Sequence, residues 1–464
     1  MRPLRMFSAV SRVFHTSMQE SPQTEVLQVV NERTIIRVLD LSMRIGDSML
    51  VAGASAHEVT VAVSRVARAY GLGVVHVNVT YTSITVSHHR SEDEWPTTLM
   101  RVIKSGIPDH LKLQRLQALL VDIEGGMPLD EARITYRAIR RTPFLYRSAI
   151  VLLSRAVLAT GVAVMFGASV TIMALTFFAA LCASLVQAAM SRSRVPIFFT
   201  QIAGGFAVTA VAVLVSALGA AGIAPFTGVR ASIIVSAGIM LMLAGMAVVG
   251  AAQDAIDGFA LTATGRILDL TMQTLGVVLG ILFGLEVGRV LGYPMPLPSE
   301  PLQFATVGSV LVGAVIASVS VAVYNGAGLR TLIASGLLSC IGIGGFLIAT
   351  SLNLGDAVAS GIGAFCASFV GALVAHRLHV PSVAVTTAAI IPLVPGAAVF
   401  RGLLAVVHSD GSTDGMLIAG GSLIAAMTIG LALATGASLG LTLGTPVRTS
   451  LASVTRSRPG VRKR

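Results

Sequence analysis

The chain has 464 residues, of which 54% are hydrophobic and only 12% are charged, and its mean hydropathy is +0.82. Average soluble domains carry about 25% charged residues, so this composition excludes an ordinary soluble protein and predicts a membrane protein. The net charge of +11 comes mainly from arginines that flank the apolar part, a distribution typical of cytoplasmic membrane flanks rather than of nucleic-acid binding.

The first part of the chain is predicted to be a disordered basic segment (1–32) followed by a small cytoplasmic α+β domain (33–147). Apolar residues at helical spacing indicate helices, and Ser55 with Glu58 three residues later forms a capping box that starts the second one. Alternating β-branched residues indicate strands. The predicted elements are helices at 33–52 and 55–70, strands at 74–80 and 83–87, and helices at 95–105, 110–125 and 128–141.

From residue 148 onward, long apolar runs predict a polytopic α-helical membrane protein with about ten spans, because some 20 apolar residues suffice to cross a bilayer. The spans form a first half (148–292) and a second half (303–445), followed by a basic tail (446–464). Arginines before the first span, after the second and in the tail place both termini in the cytoplasm, with the protein in the plasma (cytoplasmic) membrane. The predicted spans are 149–166, 168–190, 197–219, 231–250, 268–291, 305–324, 330–350, 355–376, 382–405 and 415–441.

The two halves resemble each other. Ile239–Gly245 in the fourth span resembles Ile390–Gly396 in the ninth, and a glycine ladder, with a glycine at every fourth position, follows in each half. Two matches in the same order favour duplication, and five spans per half would invert the second half, as in many secondary transporters. The ladders predict close helix packing; they consist of Gly276, Gly280, Gly284 and Gly288, and of Gly436, Gly440 and Gly444.

Charged residues are concentrated at the end of the fourth span and the start of the fifth, where Asp254, Asp257, Arg266 and Asp269 lie. Charge beside a bilayer is costly and is often kept for function. The carboxylates are therefore candidates for proton exchange or for binding an ammonium group, and Arg266 for binding a carboxylate, with Asp254 the leading candidate. The alternative is a solvated cytoplasmic loop with ordinary ion pairs.

The ninth span contains Pro395-Gly396, which predicts a kinked or broken helix whose exposed backbone groups bind a zwitterion; the alternative is a packing kink. Arg401, the only charge in that span, is either a site residue or an interface anchor. Gln201 in the third span is a further candidate, whereas Arg155 in the first is interpreted as an interface anchor.

No motif indicates a cofactor, a metal site or ATP hydrolysis, because no lysine lies in a phosphate-binding glycine loop and no cysteine or histidine spacing suits a metal. Two other functions for the N-terminal domain remain open. One is a regulatory or assembly module, and the other is a membrane-tethered hydrolase. The hydrolase would use residues among Ser55, His57, His76, His88, His89 and Asp122.

Three segments resemble the threonine/serine exporter family: Leu39–Val59, Ile239–Gly245 with Asp254 and Gly265-Arg266, and Pro392–Gly396 with Arg401. The resemblance covers about residues 33–445. In the fourth span the expected Pro-Gly is replaced by Ala244-Gly245, so a weaker bend is expected there.

The resemblance implies a cytoplasmic N-terminal domain, ten membrane helices, and export of threonine and serine driven by the proton motive force, with the substrate site between the halves. Because some relatives are linked to dicarboxylate export, that substrate class is the alternative. The implied partners are the amino acids, protons and membrane lipids, with no nucleic acid; a homo-oligomer is left open.

Overall fold

The computed structural model describes residues 32–90, 94–103, 106–242, 245–293, 304–378, 382–394, 402, 405 and 413–456. The expected disordered segment before Glu32, together with Pro395, Gly396 and Arg401, lies outside these residues. The described chain is mostly helical, with one small sheet.

Residues 32–141 form an N-terminal α+β unit with its own apolar core. The two predicted opening helices are present, and the second begins with the predicted capping box, in which Ser55 and Glu58 each accept a hydrogen bond from the other's backbone N–H. The elements are α1 (Glu32–Val51), α2 (Ala56–Ala69), β1 (Val75–Val79), β2 (Ser83–His88), β3 (Thr97–Val102), α3 (His110–Glu124) and α4 (Leu129–Arg141).

The helix predicted at 95–105 is wrong, because Thr97–Val102 is strand β3. The three strands form an antiparallel sheet in the order β1-β2-β3, and Val86 of β2 pairs with both Val77 and Leu99. One face of β2 packs on the helices, so β2 needs hydrogen-bonding partners along both of its sides. That tertiary requirement, met by β3 on the second side, outweighs the weak local helical pattern.

Within the described residues, eight helices are long and apolar enough to cross a bilayer, as expected for a polytopic membrane protein. They correspond to eight of the ten predicted spans. These helices are α5 (Ser148–Met165), α6 (Val170–Arg192), α7 (Ile197–Ala220), α10 (Ala260–Val290), α11 (Val307–Tyr324), α12 (Leu329–Ser351), α13 (Asp356–Leu378) and α15 (Thr413–Arg456).

The ninth predicted span is not one continuous helix, because its described part consists of α14 (Ser382–Ile390) and a 3₁₀ turn (Ile391–Leu393), after which Val394 is extended. The fourth predicted span is described as α8 (Ala231–Met242) and α9 (Gly245–Ile256), and residues 243–244 between them lie outside the described residues. The weaker bend expected at Ala244-Gly245 therefore stays a prediction.

Two helix boundaries also differ from the prediction. Helix α10 begins at Ala260 rather than near 268, and α15 continues to Arg456 rather than ending near 441. Hydropathy marks only the apolar part of a helix, whereas hydrogen bonding continues into the polar turns beyond it. As a result, Arg266 and Asp269 lie in the opening turns of α10, not in a loop.

Both glycine ladders pack against backbone. A Cβ on Gly276 would lie 2.7 Å from the Phe198 carbonyl oxygen of α7, and one on Gly440 would lie 2.7 Å from the Phe365 carbonyl oxygen of α13. All seven ladder glycines are buried. The ladders therefore let α10 approach α7, and α15 approach α13, more closely than any side chain allows.

Helices α5 and α11, the first span of each predicted half, cross at Gly161 and Gly313. A Cβ on either glycine would collide with the backbone of the other helix. Helix α8 packs against α5, α6 and α7, while α14 packs against α11, α12 and α13. Helices α8 and α14 thus each pack against the first three spans of their own half.

Candidate functional site

Asp254 lies near the end of α9 and is fully buried. Its Oδ1 atom accepts a hydrogen bond of 2.9 Å from the backbone N–H of Ala56, the first residue of α2. The N-terminus of a helix carries unsatisfied N–H groups and a partial positive charge, which favour a carboxylate there. Asp254 therefore joins the membrane part to the N-terminal unit, and the solvated-loop interpretation is wrong for this residue.

Arg266 completes this contact from α10. Its Nε atom lies 3.2 Å from Asp254 Oδ2, and its Nη2 atom donates a 3.2 Å hydrogen bond to the Ala54 carbonyl. Gly250 provides the space, since a Cβ there would lie 2.6 Å from Arg266 Nη1. The buried carboxylate is thus held by one backbone hydrogen bond and one ion pair, and among the described residues its Oδ2 atom accepts no hydrogen bond.

Glu58 adds a third carboxyl group beside this pair. Burial raises the pKa of Glu58 above its usual range, and the nearby Asp254 and Asp257 carboxylates also raise it, while the Ser55 N–H and His57 oppose the shift. Asp257 itself is exposed. The predicted charged cluster is therefore divided into a buried group around Asp254 and a solvent-facing Asp257.

The turn between β1 and β2 makes a second set of contacts with α10. The Tyr81 hydroxyl donates a 2.8 Å hydrogen bond to Asp269, and burial together with this bond raises the pKa of Tyr81 to about 12. The Thr262 hydroxyl donates to the Val79 carbonyl, and a Cβ on Gly265 would lie 2.7 Å from the Tyr81 Cβ. The N-terminal unit therefore contacts α10 through this turn as well as through the Ala54 carbonyl that Arg266 binds.

The N-terminal unit also contacts the turn between α11 and α12. The backbone N–H of His110 donates to the Asn325 carbonyl at 2.9 Å, and the Tyr146 hydroxyl donates to the Ala327 carbonyl at 2.8 Å. Burial lowers the pKa of His110 to about 4, so its ring is neutral at pH 7. The same unit thus contacts helices of both predicted halves.

The end of α14 has a polar contact that the sequence did not indicate. Pro392 has no N–H, so the Ala388 carbonyl four residues earlier lacks its helical donor. The Ser318 hydroxyl of α11 donates to that carbonyl instead. Ser318 belongs to no sequence motif, so the sequence gives no signal for this contact. Only the fold brings Ser318 to the helix end before Pro392.

Gln201 belongs to a polar chain within the bundle. The Gln187 Nε2 atom donates to Gln201 Oε1 at 2.8 Å, and Arg155 Nη2 donates to Gln187 Oε1 at 2.6 Å. The predicted candidate Gln201 is therefore joined to Arg155 through Gln187, and not to the hydrogen-bonded group around Asp254 in the described part of the chain. In the part of the chain that the structure describes, no group of three histidine, cysteine or carboxylate side chains could hold a metal.

The hydrolase residues do not form a site. Ser55 is buried and its hydroxyl accepts the Glu58 N–H as a helix cap, while the His76 and His89 rings lie 6.1 Å apart on the sheet. The fold and its long apolar helices define instead a multi-pass membrane protein.

The comparisons with known proteins identify its kind. A family model of threonine/serine exporters, ThrE, matches residues 40–288, and a second model, described as "Threonine/Serine exporter, ThrE", matches residues 310–443. The chain belongs to the threonine/serine exporter family, as the sequence resemblance predicted, and is a transporter rather than an enzyme.

Two relatives match almost the whole chain. A "Probable threonine/serine exporter" of Mycobacterium tuberculosis (strain ATCC 25618 / H37Rv) is 30% identical over 429 residues, covering 89% of this chain and 77% of the relative. The threonine/serine exporter of Corynebacterium glutamicum is 28% identical over 425 residues, covering 90% and 84%. No solved structure matches the chain.

Proposed function

We propose that this protein exports threonine and serine across the plasma membrane by proton antiport, through a site between two inverted five-helix halves. Family membership and the names of both relatives support amino-acid export. The observation that carries the transport mechanism is the end of the buried helix α14 at Ile390, with α8 in equivalent surroundings in the first half. Broken helices at the interface between two halves are typical of transporter substrate sites.

The inverted repeat is supported by equivalent helix contacts. Gly276 meets the Phe198 carbonyl and Gly436 meets the Gly361 carbonyl; four residues later, Gly280 and Gly440 meet the next turn of the same two helices. Spans three and five thus pair as spans eight and ten do. The contact between α5 and α11 lies where a two-fold axis relating the halves would pass.

The substrate site would lie where α14 ends inside the bundle, facing the equivalent part of the fourth span. Every residue of α8 that the structure describes beyond Ser232 is buried up to Met240, and α14 is buried from Ala384 to Ile390. Helix ends leave backbone N–H and C=O groups without helical partners, and these groups suit the charged ends of a zwitterion. Pro395, Gly396 and Arg401 remain candidates on sequence grounds.

The proton-coupling site would be the buried carboxylate of Asp254, with Arg266 and Glu58 beside it. Because Asp254 is covered by the N-terminal unit, proton exchange with the cytoplasm requires that unit to move. The unit contacts α9 and α10 of one half and the turn after α11 of the other. Rocking of the halves would strain these contacts, which makes the N-terminal unit a gate.

Counterflow of labelled threonine in proteoliposomes tests this function. We expect threonine and serine to exchange and an imposed pH gradient to drive net flux, whereas succinate, which represents the dicarboxylate alternative, should not exchange. Asp254→Asn should abolish gradient-driven flux, and the exposed Asp257→Asn serves as its matched control. The transporter assignment fails if threonine, serine and succinate all give no flux.

A further inference from the structure

Arg155 is a cation inside the membrane part without a charged partner. It lies seven residues after the start of α5, about 10 Å along the helix. Within the described residues, no carboxylate lies within 4 Å of its guanidinium. An uncompensated charge at such a depth is costly and is generally retained for a function.

Arg155 is half-buried, and its guanidinium contacts side chains of two neighbouring helices. Its Nη2 atom donates to Gln187 of α6 at 2.6 Å, and its central carbon lies 5.4 Å from the centre of the Tyr324 ring of α11. An interface anchor would instead extend its head group into water. The sequence interpretation of Arg155 as an anchor therefore does not describe its position.

Two buried amides orient this guanidinium. Gln187 is 6% and Gln201 is 9% exposed. Because Gln187 Oε1 accepts from Arg155, its Nε2 must donate, and it donates to Gln201 Oε1 at 2.8 Å. Gly204 makes room for Gln187, since a Cβ there would lie 2.5 Å from Gln187 Nε2. The Gln201 Nε2 group then ends the chain as a donor with no acceptor among the described residues.

This arrangement leaves donors for an anion. A guanidinium has five N–H groups in a planar fork that matches a carboxylate, and among the described residues only one of them donates a hydrogen bond. The Tyr324 ring covers one face of the fork and favours a cation there. The surrounding chemistry consists of hydrogen-bond donors and one positive charge.

We propose that Arg155, oriented by Gln187 and assisted by Gln201, binds the carboxylate of the exported amino acid at the end of the bundle nearest the N-terminal unit. The start of α5, the end of α6 and the start of α7 meet at this end. The proposal rests on the proposed function and adds a binding residue to it. Arg155 would receive substrate before it reaches the end of α14.

The test uses the full-length protein in proteoliposomes with labelled L-threonine. Three unlabelled competitors are compared. They are L-threonine, L-threoninol, in which a hydroxymethyl group replaces the carboxylate, and succinate, a carboxylate from another class of compound. The wild type should prefer threonine over threoninol by about 100-fold, the effect of a charged hydrogen-bonded pair. Arg155→Gln should raise the threonine KM by about 100-fold and reduce that preference to a few-fold.

Arg155→Lys keeps the charge but loses the planar fork, so its threonine KM and its preference for threonine over threoninol should lie between those of the wild type and of Arg155→Gln. This variant also provides the test if Arg155→Gln does not fold. Arg192→Gln, at an exposed arginine of α6, is the matched control and should keep the wild-type preference. Equal weakening of threonine and threoninol, or an unchanged preference in both Arg155 variants, would overturn the subsite. Loss of all threonine and serine flux in the wild type would overturn the proposed function, whereas Arg155-dependent succinate flux would keep the subsite and change the substrate class.

Discussion

The carboxylate of Asp254 accepts the backbone N–H of Ala56, a residue 198 positions earlier in the chain, at 2.9 Å. This bond places a buried anion against the N-terminus of α2, while Arg266 holds its other oxygen. The leading candidate for proton coupling is therefore also a docking contact between the N-terminal unit and the membrane part.

Replacing Asp254 with asparagine should weaken this docking. Arg266 would lose its buried anion, and breaking a buried pair in this way costs about 3 kcal/mol. We expect a lower unfolding temperature of the purified protein and faster hydrogen exchange at Ala56. Asp257→Asn removes a charge from an exposed neighbour and should change neither quantity. Equal effects of both variants would show that the contact does not depend on the buried pair.

Locking the N-terminal unit should stop transport if that unit is a gate. The Cβ of Tyr81 and a Cβ built on Gly265 are near neighbours, so Tyr81→Cys with Gly265→Cys can form a disulfide after slight adjustment. In a background without Cys182, Cys340 and Cys366, we expect oxidation to abolish threonine flux and reduction to restore it.

Each single cysteine variant is the control for this lock, because neither can form the bridge. Full flux in the oxidised double variant, with the disulfide verified by mass spectrometry, would contradict gating by the N-terminal unit.

Ser318 should matter only because of Pro392. Ser318→Ala leaves the buried Ala388 carbonyl without a donor, which costs about 1–3 kcal/mol. In a Pro392→Ala background the residue at 392 can donate its own N–H, so the same serine change should cost much less. Chemical denaturation of the four proteins of this cycle measures the coupling; an identical cost in both backgrounds would refute the assignment.

Gly280→Ala should separate α10 from α7. The added Cβ would lie 2.9 Å from the Phe206 nitrogen and collide with the Ile202 carbonyl oxygen, and backbone cannot rotate away as a side chain can. We expect a loss of about 1–3 kcal/mol in thermal or chemical unfolding. Gly420→Ala is the matched control, because nothing lies within 4 Å of a Cβ there. That variant should be neutral or slightly more stable.

His110 should make the protein sensitive to acid. Its folded pKa of about 4 lies below the usual 6.5, so the unfolded chain binds more protons between these values. Stability is therefore lost as pH falls from 6.5 to 4, by up to about 3 kcal/mol from this group. The free energy of unfolding should be measured against pH for the wild type and for His110→Gln, and the difference between the two curves should show this slope. The control His89→Gln changes an exposed histidine and should keep the wild-type pH dependence.

Local patterns predicted much of the secondary structure. The capping box at Ser55 and the long apolar spans follow from hydrogen bonding and transfer energies that a short window contains. The helix predicted at 95–105 failed because β3 is decided by pairing with β2. The burial of α8 and α14 within the bundle is likewise a tertiary property that no short window of sequence contains.

The sequence by itself determined the membrane class, the family and the charged residues that the chain retains, because composition and motif order survive without coordinates. Only the tertiary structure decided what those charges touch. Asp254, Arg266 and Tyr81 each have a hydrogen-bond partner 180 or more positions away in sequence. Arg155 donates to Gln187 of a neighbouring helix, a contact that its interpretation as an anchor at the membrane–water interface does not include. Such contacts depend on how helices pack against one another, and side-chain packing between distant segments leaves no periodic signal in the chain.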